Sequence, residues 1–473
     1  MRAAPSGRSR RFLDSLTPSS VAAQLGARPL TLALVVAALL GACTLRSGFL
    51  FDDWSLIAIV EQRFPGARGG LDLYRFIDGA ADVRLMTADG PFPWFCAPDL
   101  KLALFRPLAA ALLVLDDRLF GHAPLFWHLH SALWYLALVA AAGLVLRRLL
   151  DGAPLALALL LYAASDTHAM ALAWIANRHS EIAVALTLLG LWAHLRARED
   201  GWRPGALLSP LFCALGLLAS ETALGGLAYF LAFELLGRSD PLRARLRALV
   251  PVSLLALAYL LAYKLGGYGT HHSGSYIDPL GEPLAFLQVA PRRALALVGS
   301  LFLGPPAEAQ QQLPALAWLW PLLGALALAL LTLLIRPVLA ELAAEPRRRL
   351  RWLLAGAALS LLPSLGAMPG GRLLIVPSLG AAAVCAVLVH HAFRRRAGVL
   401  RRLRLGALVL MLGIRPALTF VASLGALQGY AQRLPQIAHA AELPPQPGRR
   451  VLAPVLPDFF TATYVPTLLL VEG

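Results

Sequence analysis

The sequence predicts an all-α polytopic membrane protein with about eleven transmembrane helices, in which apolar runs recur at close to bilayer-spanning length. Of its 473 residues 58% are hydrophobic, and the mean hydropathy is +0.66. Arginine clusters punctuate the apolar runs, and alternate gaps between runs carry them. A soluble protein with a large core does not show this pattern.

Charge sets the topology. All the basic residues except Lys101 and Lys264 are arginine, and the net charge is +15. In a soluble protein such a balance would suggest nucleic acid. Here the arginines sit in short gaps between apolar runs, where they act as topology determinants on the cytoplasmic side. The four cysteines, Cys43, Cys96, Cys213 and Cys385, match neither a disulfide framework nor a zinc spacing.

Read in order, a basic cytoplasmic N-terminus (1–28) precedes a first span at Pro29–Leu45. That span lacks a clear small-residue cleavage site, so it is expected to be a retained anchor. An external loop follows (48–125), and its Lys101–Phe120 stretch carries Arg106-Pro107 and Asp116-Asp117-Arg118. Charges spaced so closely fit an amphipathic helix on the membrane surface. Spans are expected at 126–146, 154–175, 180–195, 206–219, 222–236 and 250–265, which closes a membrane module over 29–265. A second external segment, 266–313, contains an apolar stretch interrupted by Pro291-Arg292-Arg293, expected at the interface. C-terminal spans (314–425) follow at 314–335, 352–367, 373–390 and 405–424, and a proline-rich external tail (426–473) ends the chain. This count keeps nearly every arginine cluster on one side, as a multi-pass protein of a bacterial-type plasma membrane with its N-terminus inside requires.

The topology also sorts the acids and bases. Asp52, Asp53, Arg106, His168, Arg178, His179, Glu181, Glu221, Lys264, His271, His272 and Arg372 gather at or near the external face, whereas the cytoplasmic loops offer little but arginine. Any one of these could be a solvated cap or a snorkelling anchor. The centre of the set is Phe51-Asp52-Asp53-Trp54, just past the first span. Two carboxylates at that boundary could hold a metal, or one could serve as a base whose pKa its neighbour raises. They are the metal candidates, but alone they supply too few hard ligands to define a site. Arg415 stands apart in mid-span, where a charge needs either a function or a buried acid as partner.

These motifs, taken in order, resemble those of the GT-C integral-membrane glycosyltransferases, closest to the protein O-mannosyltransferase-like proteins that often carry tetratricopeptide repeats. The acidic pair after the first span is matched by Asp52-Asp53, and Tyr-Arg-Pro-Leu by Phe105-Arg106-Pro107-Leu108. His168 followed by Ala173-Trp174-Ile175-Ala176-Asn177-Arg178 is similar to the family's His segment leading into Ala-Trp-Ile-x-Gly-Arg. Ala219-Ser220-Glu221 is similar to Ser-Lys-Glu, and Gly371-Arg372 through Pro377-Ser378-Leu379-Gly380 to the late Glu-Arg-Tyr motif. The matches run from Phe51 to Gly380, and the repeats are missing.

The resemblance implies transfer of a sugar from a polyprenyl-phosphate donor, drawn from the membrane lipid, to an acceptor protein or glycan at the external, periplasmic face, with no nucleic acid involved. It implies Asp52 as base with Asp53 in support, and Arg106, Arg178, Lys264 and Arg372 as candidates for the carrier phosphate. His168 and Glu221 would orient the site, and a divalent cation is a candidate cofactor. Arginine suits phosphate because its planar fork meets two oxygens at once. Met170, Ser220 and Gly371 depart from the pattern, where the family has Glu, Lys and an acid. A flippase of lipid-linked cargo and a non-catalytic membrane protein of the same fold are the alternatives.

Overall fold

The structure, a computed structural model, describes residues 28–66, 68–88, 91–93, 95–394, 408–440 and 459–472. Most of the basic N-terminus, most of the Arg394–Arg404 cluster and the Leu443-Pro444-Pro445 stretch lie outside the described residues.

Among the described residues seven helical stretches are long and apolar enough to cross a membrane: Pro29–Arg46, Pro124–Leu146, Gly152–Ala173, Leu242–Leu265, Pro283–Phe302, Pro314–Glu341 and Met411–His439. Gly205–Ala219 and Thr222–Gly237 are shorter apolar helices. The chain is a multi-pass helical membrane protein. Several helices, such as α1 (Pro29–Ala42), start on a proline, where the missing N–H has no partner to lose. A short helix α2 (Asp52–Val60) carries the acidic pair in its first turn, where negative charge complements the helix dipole. After it come α3 (Ala80–Ala88), α4 (Pro107–Phe120), α5 (Pro124–Leu146) and α6 (Gly152–Ala163). Helix α7 (His179–Glu199) is buried on nearly every face and forms the axis of the bundle. It packs against α5, α8 (Gly205–Ala219) and α9 (Thr222–Ala232). Helix α10 (Leu242–Leu265) is largely exposed and apolar, the mark of a lipid-facing surface. Helices α11 (Pro283–Phe302), α12 (Leu319–Glu341), α13 (Ala344–Ser360), α14 (Pro377–Arg394), α15 (Arg415–Ala440) and α16 (Phe459–Glu472) follow.

Four features depart from the sequence expectations. The 283–302 stretch, read from sequence as interrupted at Pro291-Arg292-Arg293, is one continuous helix of spanning length. Its Arg293 donates to the carbonyls of Leu365 and Gly366 (3.0 and 2.8 Å), which gives that charge a partner within the protein. Gly299 and Gly324 let α11 and α12 touch backbone to backbone; a Cβ on Gly299 would lie 2.8 Å from Gly324 N. The last span runs on to His439 rather than ending at Leu424. Helix α4 does not simply lie on the surface, because Asp116 turns inward and is 1% exposed. Finally, the two external segments join in a three-stranded antiparallel sheet of β1 (Arg75–Asp78), β2 (Lys101–Ala103) and β3 (Gly269–His271). Lys101 pairs with Asp78 on one side and His271 on the other.

Candidate functional site

Where this sheet meets one end of the bundle, residues from widely separated parts of the chain surround a cavity of about 310 Å³. Asp52, Arg106, Glu221, Lys264 and Arg372 line it, together with His179, Tyr74 and Tyr276. Its remaining wall is apolar, with Leu224, Leu260 and Leu373 among the lining residues. Tyr259, Leu260, Tyr263 and Lys264 come from the lipid-facing helix α10, which puts one wall of the cavity on the membrane side.

Helix geometry separates the two adjacent carboxylates. Successive side chains on a helix point about 100° apart, so Asp52 and Asp53 cannot both face the same space. Asp52 lines the cavity and accepts a hydrogen bond from the Tyr464 hydroxyl of α16. Burial pushes its carboxyl above the ordinary aspartate value, while Tyr464, Arg372 and Arg106 pull in the opposite direction. Asp53 is 2% exposed and points away from the cavity. Its two oxygens accept backbone N–H groups, one from Leu50 at 2.8 Å and one from Ala176 at 2.6 Å. Burial pushes its carboxyl up to about 8. Asp53 thus ties the start of α2 to the turn that carries Ala176, and Asp52 alone is presented to the cavity. Each Asp53 oxygen accepts one backbone N–H, so the two carboxylates are engaged differently.

The expected cations divide in the same way. Arg106 stands immediately before α4 and meets Glu221, at the α8–α9 bend, through both prongs of its guanidinium. The Nε–Oε2 bond is 2.9 Å, and the guanidinium also lies 5.0 Å from the centroid of the Tyr74 ring. Burial would raise the Glu221 carboxyl, but the Arg106 charge outweighs it and holds the group below its ordinary value. Lys264 is paired with Asp278. Arg372 is different: among the described residues it forms no ion pair within 4 Å. It donates to the Tyr276 hydroxyl at 3.4 Å and lies 5.7 Å from the Trp174 ring centroid.

Two expected site residues lie elsewhere. Arg178 is 1% exposed, is paired with Asp116 and donates to the Trp127 carbonyl (3.3 Å). It does not line the cavity; its charge is spent locking α4 and α5 to the start of α7. His168 is fully buried between the rings of Tyr135 and Tyr162, with centroids 5.4 and 4.9 Å away, and also lies off the cavity. Arg415 finds the buried acid its mid-span position calls for, since Asp166 lies 3.8 Å away and the Gly304 carbonyl also accepts from it.

The sequence assigns no role to the other participants, of which only His179 stands in the external-face set. Glu308 accepts the Gly371 N–H at 2.5 Å, so space supplies an acid next to Arg372 where the sequence has glycine. Burial raises its carboxyl, with Arg372 acting against that rise. A Cβ on Gly370 would sit 3.0 Å from the same carboxylate, a tight contact. His179 reaches the cavity and bonds Ser220 Oγ through Nδ1 (3.0 Å). Tyr464 arrives from the far end of the sequence, so only the folded chain reveals it.

No protein-family model matches the chain, and no curated protein does. Among solved structures, it is similar to the Archaeoglobus fulgidus oligosaccharyltransferase tethered with an acceptor peptide. The identity there is 13% over 95% of this chain and 64% of that one, with a TM-score of 0.48. It is also similar to ArnT from Cupriavidus metallidurans bound to undecaprenyl phosphate, with 15% identity, coverage of 93% and 84%, and a TM-score of 0.44. A third likeness is to the archaeal oligosaccharyltransferase AglB from Archaeoglobus fulgidus in complex with an inhibitory peptide and a dolichol-phosphate (13%, 88% and 58%, 0.47). The chain thus spans somewhat under two thirds of the length of the archaeal enzyme. At these identities and TM-scores, none of these likenesses says what this chain binds or does.

Proposed function

We propose that this chain transfers a sugar from a polyprenyl-phosphate donor to an acceptor hydroxyl at the external face of the membrane. The observation that carries the reading is one cavity, walled partly by the lipid-facing α10, holding the Asp52 carboxylate together with the Arg372 guanidinium, which forms no ion pair among the described residues. Such a cavity suits a donor with a hydrocarbon tail in the bilayer and a polar head at its edge. Its size lies near the lower end of the roughly 300–1,000 Å³ usual for small-molecule sites, which favours a single hexosyl unit over a long glycan.

In the reaction, Asp52 takes the proton of the acceptor hydroxyl, and the oxygen forms its bond to the anomeric carbon. The bond from that carbon to the phosphate oxygen breaks, and its electron pair leaves with the polyprenyl phosphate. Arg372 meets the charge gathering on that oxygen, as a preorganised cation does at a departing group. Arg106 and Lys264, already neutralised by Glu221 and Asp278, shape the wall and position Tyr74 and the 276–280 segment around it. Asp52 then gives up its proton to water. The arginine-rich loops support an orientation with the site-bearing face outside and the N-terminus in the cytoplasm.

Purified protein reconstituted in lipid and given a panel of polyprenyl-phosphate sugars tests the proposal. Release of the free carrier phosphate is expected with one donor class, and no release with any donor would remove the reading.

A further inference from the structure

We propose that Asp99, His271 and His272 form a zinc-type metal site, with Glu282 orienting one of its histidines. The three residues belong to two distant external segments that the sheet brings together, since His271 pairs with Lys101, two residues after Asp99. His271 Nε2 lies 3.4 Å from Asp99 Oδ2, and His272 Nδ1 lies 2.7 Å from Asp99 Oδ1. One ligand atom from each falls within 4.8 Å of the others. Tetrahedral zinc, with bonds of about 2.0–2.2 Å to nitrogen and carboxylate oxygen, spaces its ligand atoms roughly 3.3 Å apart. The His271–Asp99 separation matches that value, and His272 Nδ1, at present hydrogen-bonded to Asp99 Oδ1, stands closer.

The backbone adds an independent observation. Strand β3 ends at His271, and the chain turns at once, because His272 takes a φ of 48°, in the left-handed region. Non-glycine residues occupy that region rarely, and such conformations cluster at functional sites. The turn brings the two rings to a centroid separation of 3.8 Å, with both turned toward Asp99.

His271 also shows how a metal-bound histidine is usually held. Its other nitrogen, Nδ1, lies 3.4 Å from Glu282 Oε1. A carboxylate behind the non-ligating nitrogen fixes the tautomer and the ring's orientation. Two imidazole nitrogens and one carboxylate oxygen suit zinc and its neighbours rather than magnesium or calcium, which prefer oxygen alone. All four side chains are 41–54% exposed, so an ion reaches them from water and can keep a water ligand. Bound there, the metal would join the first external segment to the second. Thr270 and Tyr276 of that second segment line the cavity.

The test uses the full chain, purified without a polyhistidine tag, stripped with chelator and dialysed against zinc. One zinc per chain is expected by elemental analysis, and cobalt in its place is expected to show the visible bands of a four-coordinate ion. His271→Ala with His272→Ala should abolish both signals, and Glu282→Gln should weaken binding by about 10–100-fold. If the double variant fails to fold, Asp99→Asn provides the same test. A chain that takes up no zinc, or whose variants take up as much as the parent, overturns the proposal.

Discussion

Replacing Asp53 by asparagine separates the two neighbouring carboxylates by function. Asp53 is buried, and each of its oxygens accepts a backbone N–H, from Leu50 and from Ala176. Asparagine keeps the shape but has a single acceptor oxygen. Its amide group must then face one of those N–H donors, leaving two buried donors unpaired. Each unpaired buried donor costs about 1–3 kcal/mol, so Asp53→Asn is expected to destabilise the fold by roughly 2–6 kcal/mol. Asp52→Asn is the control: its partner among the described residues is the Tyr464 hydroxyl, so its cost should stay within about 1 kcal/mol. Reversible unfolding of the purified protein in mixed micelles, followed by tryptophan fluorescence, measures both. Equal stability of Asp53→Asn and the parent would refute the assignment of Asp53 to the scaffold.

Three further outcomes follow from the same geometry. Arg106→Gln removes a two-pronged partner and leaves the partly buried Glu221 uncompensated, so stability should fall by about 2–3 kcal/mol; the double variant with Glu221→Gln should recover part of it, as a double-mutant cycle would show. Arg372→Gln is expected to lower the turnover rate by about 10²-fold at saturating donor, while Arg372→Lys, which keeps charge but loses the fork, should fall between; an unchanged rate in both would exclude Arg372 from the leaving-group role. The base acts only when ionised, so activity should be lost as pH falls through the raised pKa of Asp52. The Tyr464 hydroxyl favours the ionised form, and a hydrogen bond to a charged group of about 1.5 kcal/mol corresponds to roughly one pKa unit; Tyr464→Phe should therefore move that acidic limb upward in the pH–rate profile.

Residue type and place along the chain were legible in the sequence, but the direction in which each side chain points was not. Apolar run length located most of the helices, and arginine placement grouped Asp52, Arg106, Glu221, Lys264 and Arg372 at one end, where they line one cavity. The same reasoning could not tell Asp52 from Asp53, because a rotation of one residue on α2 decides which enters the cavity. Arg178 failed for a related reason: Asp116 sits 62 residues earlier in the chain, and nothing local marks it as a buried partner. The three-residue strands β2 and β3 are too short for an alternating pattern to register, and they pair across some 170 residues. Glu308 and Tyr464 reach the site through tertiary packing alone. The Pro291-Arg292-Arg293 sequence does not break its helix, and Arg293 finds the Leu365 and Gly366 carbonyls to accept its donors.

The central claim is that Asp52 is the base of a sugar transfer from a lipid-borne phosphate. Its most direct test is carrier-phosphate release by the reconstituted protein, comparing the parent with Asp52→Asn at matched stability. Loss of a general base predicts a fall of about 10²–10⁴-fold. Release at the parental rate from a folded Asp52→Asn variant would contradict it.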